Sequence, residues 1–465
     1  MQRYPRTNKR VKESDSFASA ANSKEDSLEM PAKTMFDLLC RLWPLKRSLV
    51  SDGYDEAIRI ISEDFPISVA EFPSGTECWT WFVPEKWTCR EAWVETLDGR
   101  RLIDYESHPL HCVEYSLPID GVIDREELLS HLYVHPKNPE AIPYVFKFYD
   151  RDWGFCCSQR TRNELKDQKY RVRIDSDFTQ GTLKVGEWWL PGKSKDTIVL
   201  AAHLCHPYLA NDDLSGVVVG LEVMKRLSAL KDRHYTFLLL LVPETIGSIA
   251  WLSHNEQHIP NMRGGIFLEM LGLDLPHGLA RSYAGNTQID LCCEAVLEQR
   301  DHKAFVRDYA NIVLNDELEF NSPLLRIPMV SLSRSLPRED PDFPYPEYHT
   351  HFDSPDIVHR HRLEESADIA FEMLGRIDRN AYAKVKAKGQ VFCSRYGLFP
   401  KTLKQQTALI KVLYELDGLH SIADICKKHS IDFDDAAAII SSFQAKELVD
   451  ISMDPFRPEC QSQRR

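Results

Sequence analysis

The chain has 465 residues, enough for two or three domains and a large apolar core. Its 43% hydrophobic content suits a soluble globular protein, and a net charge of −13 with a pI near 5.7 leaves no electrostatic footprint for nucleic acid. No apolar run approaches the roughly 18 residues needed to span a membrane, and the N-terminus lacks the apolar core of a secretion signal. The twelve cysteines include the neighbours Cys156-Cys157 and Cys292-Cys293 but no C-x-x-C, so they read as reduced thiols of a cytoplasmic protein.

Residues 1–33 are rich in charged residues and serine, with almost no large apolar side chains. They bury too little surface to offset ordering entropy and read as a disordered tail. From Thr34 to Asp64 apolar residues recur at helical spacing (Met35, Leu38, Leu39, Leu42, then Ala57, Ile58, Ile60, Ile61), which predicts two helices. From about Val69 to Phe155 the pattern turns β-like. Trp79, Trp81, Trp87 and Trp93 fall in short runs, and Asp98-Gly99 between AWVETL and RRLIDY signals a hairpin. This reads as a β-rich insert whose aromatic residues form a small core; lining a substrate cleft or binding sugar is the alternative use. Near Tyr144 to Cys157 the chain returns to the main domain, and Tyr170 to Leu190 alternates in a way that predicts a strand hairpin.

The stretch Thr197 to Ser248 reads as β-α-β. Thr197 to Ala202 is an uncharged apolar run of the kind that forms a buried parallel strand, and it leads into His203. Leu214 to Leu227 has helical periodicity and carries Lys225 and Arg226 in its last turns, where the helix dipole favours cations. Tyr235 to Val242 is a second buried strand ending in Pro243-Glu244, and Gly265 to Met270 is a third that delivers Glu269. Ligands of open α/β sheets bind beyond such strand ends. His203, Asp212, Glu244 and Glu269, with His349 and His351 of the later PEYHTHFDSP, are the imidazole and carboxylate donors that a zinc or manganese site requires.

Beyond Glu269 lies a Gly-rich loop with Arg281, then a helix around Ile289 to Glu298. Ser322 to Pro346 holds six prolines with Arg326, Arg334 and Arg338, and it leads into His349, which marks it as a substrate-binding loop. Arg281 or Arg334 would neutralise a substrate carboxylate or phosphate, with a structural ion pair as the alternative; Tyr348 joins them as a substrate-binding residue. His359 to Ala387 reads as one closing helix. Leu403 to Leu416, Ser421 to His429 and Phe433 to Ala445 read as three short helices and Leu448 to Met453 as part of a wing, so the C-terminal region looks like a winged helix. Asp434 and Asp435 open its third helix, which opposes DNA and favours a packing or oligomer role.

The series His203, Asn211-Asp212-Asp213-Leu-Ser-Gly, Glu244-Thr-Ile-Gly-Ser, Glu269, Tyr348-His349-Thr350 resembles the zinc aminopeptidases with two co-catalytic metals. It is closer to a bacterial aminopeptidase-like subgroup with an H-x-C-H-P segment, a Trp-rich β insertion and a C-terminal winged helix. The resemblance spans roughly residues 34–455. It implies that His203 and Glu269 hold one metal, that His349 holds the other, that Asp212 bridges them, and that Glu244 is the general base. Two positions depart from that pattern. Thr245 stands where the family has a second glutamate ligand, and Cys205 stands where it has an acid orienting the first imidazole. The alternatives left by these departures are one ion, two ions, or a rearranged site using His206.

The expected architecture is α/β: a mixed-sheet, zinc-peptidase-like core with helices on both faces (34–68 and 156–392), an inserted β-rich domain (69–155) and a C-terminal winged helix (393–465). The resemblance implies a zinc-dependent aminopeptidase binding one or two Zn(2+) ions and acting on a small peptide or amino-acid conjugate. No nucleic acid or membrane partner is expected, and homo-oligomerisation stays open. The alternatives are an amidohydrolase on a modified sugar or amino-acid conjugate, and a non-catalytic binding protein on the same fold.

Overall fold

Three apolar runs of the sequence lie side by side at the centre of one sheet. The computed structural model describes residues 34–457, so the reading of residues 1–33 falls outside the described residues. The sheet has eight strands, in the order Ser68–Pro73, Thr182–Leu190, Thr236–Val242, Thr197–His203, Met262–Glu269, Met329–Arg334, His277–Ala280 and Phe305–Arg307. From Thr236–Val242 to Met329–Arg334 neighbouring strands are parallel, and antiparallel pairs flank them. Every residue of Thr197–His203 is buried, as expected of a strand covered on both faces. The fold is therefore the mixed α/β arrangement read from the sequence.

Local chemistry sets the elements around this sheet. Asp52–Asp64 is a helix because Tyr54, Ala57, Ile58 and Ile61 share a buried face, and the Ser51 hydroxyl caps it by accepting the Tyr54 N–H. Gly216–Ala229 packs with the helices Met35–Leu42 and Arg360–Arg379. It must begin with glycine, because a Cβ at Gly216 would lie 2.4 Å from both the Asp213 Oδ1 and the Leu268 carbonyl oxygen. The Asp98-Gly99 hairpin forms between Lys86–Glu95 and Arg101–Asp104, with Gly99 at φ +91°. Among the described residues no helix is long and apolar enough to cross a membrane.

Several elements differ from the sequence reading. Lys169–Thr179 and Thr182–Leu190 do not form a hairpin. The first pairs with Lys86–Glu95 and Ile119–Asp124 in a separate four-stranded sheet, while the second joins the main one. Ser68–Pro73 is the edge of the main sheet. The sheet boundaries thus run past positions 69 and 156, because alternation marks a half-buried strand without naming its partner. The proline-rich loop contains the strand Met329–Arg334. Trp87 and Trp93 are buried as core, whereas Trp79 and Trp81 are exposed.

The closing helix stops at Arg379, and Tyr382–Val385 becomes the middle strand between Asp417–Ser421 and Val449–Ser452. The helices Leu403–Tyr414, Ile422–His429 and Phe433–Gln444 complete this region. Gln288 binds it to the core by donating to Asp424 and accepting from Ser421. Deleting residues after Cys393 should leave metal content unchanged, because no proposed ligand lies there. It removes both strands flanking Tyr382–Val385 and uncovers the Gln288–Arg300 helix. Soluble yield and monodispersity should therefore fall, which size-exclusion chromatography and elemental analysis would measure together.

Candidate metal centre

The parallel strands carry their polar residues to one end of the sheet. His203 ends its strand opposite Val242, which is followed by Pro243-Glu244, and Glu269 ends the next strand. The loop after His203 then folds back over these ends. Arg47, fully buried, fixes it by donating to the carbonyls of Leu204 (2.9 Å), His206 (2.7 Å) and Leu209 (3.1 Å), while also holding those of Leu42 and Trp43. Burial without a carboxylate partner pushes the Arg47 pKa down to about 10. At the far end of the loop, Asp353 accepts the N–H groups of Ala210, Asn211 and Asp212 and the Tyr345 hydroxyl. Asp213 accepts the N–H groups of His203, Gly216 and Met270.

This frame brings two donor triads together through Asp212. One is His203, Asp212 and Glu269; the other is His206, Asp212 and His349; the donor atoms of each lie within 4.8 Å of one another. His203 Nε2 is 3.2 Å from one Asp212 oxygen, and His349 Nε2 is 3.0 Å from the other. His203 Nε2, Asp212 Oδ2 and Glu269 Oε2 are buried without a hydrogen-bond partner. Buried polar atoms seldom remain so, and three in one cluster with imidazole and carboxylate chemistry fit a divalent cation. The chain therefore has the donors for the zinc that the sequence reading expected, with His203, Asp212, Glu269 and His349 together as anticipated.

The second triad also answers the two departures. His206 supplies a donor where Thr245 cannot, and Thr245 instead donates its N–H to Asp316. His203 Nδ1 has no carboxylate partner; it shares a 3.1 Å hydrogen bond with His206 Nδ1, so each ring keeps its Nε2 for the cluster. A third grouping, His203, Cys205 and His206, is a weaker candidate. Burial pushes the Cys205 thiol up to about 11, and only the thiolate is a good ligand. Asn315 donates to one Glu269 oxygen at 2.5 Å and thereby turns the other toward the triad.

The electrostatics agree with a site built around concentrated negative charge. Burial opposes charge on Asp212, but the imidazoles of His206, His203 and His349 outweigh it and hold its carboxyl well below the usual range. Burial, joined by the charge of Asp212, pushes Glu269 well up. Burial also raises Glu244, whose Oε2 lies 3.4 Å from His206 Nε2. The Glu244 and His349 side chains are 24% and 29% exposed, against 1% for His203 and 2% for Asp212, so solvent reaches the cluster from the Glu244–His349 side. Tyr348 stacks on His349 with ring centroids 3.9 Å apart.

Backbone conformation is unusual here. His206, Tyr208, Thr245, Met270 and His349 all have φ between 52° and 71°. Such non-glycine positions are held at a cost of about 1–3 kcal/mol each, and they gather where function demands a special geometry. The two arginines expected to bind substrate do not do so in this arrangement. Arg334 is buried, donating to Ser366, the Leu275 carbonyl and Glu365. Arg281 is paired with Glu294 and Asp308. Both have structural ion pairs because neighbouring acids take their donors first. The sequence reading also missed Asp353 and Arg47. Asp353 lies inside the quoted PEYHTHFDSP, whereas Arg47 follows Lys46 in a short link between two helices and gives no local signal.

Comparison with known proteins places the chain. The domain of unknown function DUF4910 matches residues 36–380. The chain belongs to this family. A relative from Clostridium acetobutylicum, named for polysaccharide biosynthesis and an aminopeptidase-like domain, is 31% identical over 406 residues, covering 86% of this chain and 92% of its own. A crystal structure from the same organism, named as that of a peptidase, superimposes with a TM-score of 0.80 at 30% identity over 90% of this chain and 96% of the other. The zinc aminopeptidase BSAP of Bacillus subtilis shares the fold, with a TM-score of 0.55 at 12% identity over 74% of this chain and 93% of the other. This DUF4910 protein thus has a zinc-aminopeptidase-like fold.

Proposed function

We propose that this DUF4910 protein is a zinc-dependent hydrolase of amide bonds, an aminopeptidase acting on a small peptide or amino-acid conjugate. The observation that carries the reading is the convergence of the unpartnered His203 Nε2, Asp212 Oδ2 and Glu269 Oε2 beside Glu244. Its relatives' peptidase names support it. His203, Asp212 and Glu269 would hold one ion, and His206, Asp212 and His349 a second. Bound zinc supplies Lewis acidity toward the scissile carbonyl and lowers the pKa of water.

The chain's own groups do the rest. Glu244 takes the proton of the attacking water on its carboxylate and delivers it to the leaving amine nitrogen. Burial raises its pKa, which favours a carboxylate able to hold and pass on a proton. Substrate enters from the Glu244–His349 side, where Tyr348 forms part of the wall.

Protein purified without chelator should contain about one or two equivalents of zinc. Chelation should abolish hydrolysis of leucine p-nitroanilide and lower Tm, with both regained on adding zinc. Free zinc at a hundredfold over its Kd stabilises the fold by about 2.7 kcal/mol. Full activity in metal-free protein would sink the reading.

One observation favours a second reading, amide hydrolysis on a modified sugar. Exposed Trp81, Phe146 and Tyr149 line a cavity of about 340 Å3 that reaches Glu244. Flat aromatic faces stack well on sugar rings as well as on apolar side chains. Cleavage of N-acylated amino sugars in preference to aminoacyl p-nitroanilides would select it.

A further inference from the structure

Tyr144, whose ring packs against His206 and His349, also lines a second cavity of about 140 Å3. It is walled by Trp87, Tyr105, Leu110 and Tyr208, and Glu114 and Ser48 are among the residues lining it. Its size is close to the roughly 150 Å3 of an apolar cavity able to take up benzene. Nothing in the reaction outlined above uses it.

Glu114 is the unusual member. The residue is 4% exposed, and its backbone is held by N–H donation to Val145 and by acceptance from Lys147. Its Oε2 accepts the Tyr144 hydroxyl at 2.5 Å, while its Oε1 is buried with no partner in bonding geometry, the Ser48 hydroxyl lying close enough to pull on the carboxyl. Among the described residues no basic side chain pairs with it. Arg47, its nearest cationic influence, gives its hydrogen bonds to carbonyls. Burial pushes the Glu114 carboxyl up to about 7, against the pull of the Ser48 and Tyr144 hydroxyls. An unpaired buried carboxylate oxygen is expensive to keep, and donation from a ligand removes that expense.

We infer that this cavity is a binding site for a compact apolar or aromatic group carrying a hydrogen-bond donor, best as an ammonium, which meets Glu114 Oε1. The aromatic walls take the apolar body, and the carboxylate favours a cation over an anion beside it, while Lys46, which also lines the cavity, sits with its Nζ 4.5 Å over the Tyr105 ring. Tyr144 links the site to the metal centre. Its ring packs edge-on against His206 and His349, with centroids 5.0 and 5.4 Å apart, and its N–H donates to the His349 carbonyl at 2.7 Å. A group bound at Glu114 therefore stands one side chain away from two metal ligands. That group is either part of the substrate or a separate amine.

The test is titration of the full-length protein with benzylamine, toluene and benzoate, followed by calorimetry and by ligand-observed NMR. Benzylamine should bind, toluene more weakly, and benzoate not at all. Glu114→Gln should weaken benzylamine at least tenfold. Thr88→Trp, a half-buried lining residue whose enlargement blocks the cavity without touching Glu114, should abolish binding, and it keeps the test sound if the first variant fails to fold. Benzylamine that inhibits hydrolysis competitively supports the site and assigns it to substrate; benzylamine that binds without competing supports it and assigns a separate ligand. No benzylamine binding, equal binding of benzoate, undiminished binding in Thr88→Trp, or a soaked crystal with only water at Glu114 would overturn the inference. The binding arm does not depend on hydrolysis, so its failure is distinct from failure of the proposed reaction.

Discussion

Glu244→Gln should fold normally, keep its metal and lose amide hydrolysis by roughly 100-fold or more, the usual scale of general acid–base catalysis. Glu244 follows a buried strand and a proline, so its backbone is set by the sheet rather than by its own side chain. Its N–H donates to Cys205 Sγ, a bond that the substitution leaves in place. Glutamine keeps the shape and the contact with His206 but cannot accept a proton at neutral pH. The two measurements are metal content and kcat/KM on one amide substrate. If metal and activity fall together, Glu244 is a ligand, and the proton must be moved by another group. If metal stays and activity is undiminished, the catalytic reading of this strand end fails.

A larger loss of metal is expected from Asp212→Asn. Asp212 is the one residue shared by both triads, and the imidazoles of His206, His203 and His349 hold its carboxyl well below the usual range. Replacing it should remove more than the ten- to hundredfold in affinity that an outer partner alone typically contributes, roughly estimated, and both ions should go. His206→Ala is the instructive companion. It deletes only the second triad, so metal content should fall by about one equivalent, by the ligand counting above, while His203, Asp212 and Glu269 retain theirs. Retention of full stoichiometry in His206→Ala would show that His206 holds no ion and that the rearranged ligand set is wrong.

The sequence made the strands and their polar ends readable, because uninterrupted apolar runs leave few alternatives to a doubly covered strand. His203, Glu244 and Glu269 followed from that directly. His206 was harder to place. It sits three residues after His203, at φ 71°, and only the turn of the loop swings its ring back to the cluster. Arg334 was misplaced because flanking prolines hid the short strand Met329–Arg334, and its partners Ser366 and Glu365 are some thirty residues away. Lys169–Thr179 and Thr182–Leu190 were recognisable as strands, but their partners were not, since pairing is decided by packing across the whole molecule.

The clamp on the loop at residues 204–212 has a consequence for how the protein is made. Arg47 reaches Leu204 across 157 positions, and Asp353 reaches Asn211 across 142. During synthesis the loop therefore emerges long before its second fastener. Contacts this remote form slowly, because chain closure precedes any reward from them. Until residue 353 has left the ribosome, the nascent chain displays His203, His206 and Asp212 without the geometry that joins them. Assembly of the candidate metal centre is thus a closing event of biogenesis, and a ribosome-bound fragment ending before His349 should take up far less metal than the finished protein.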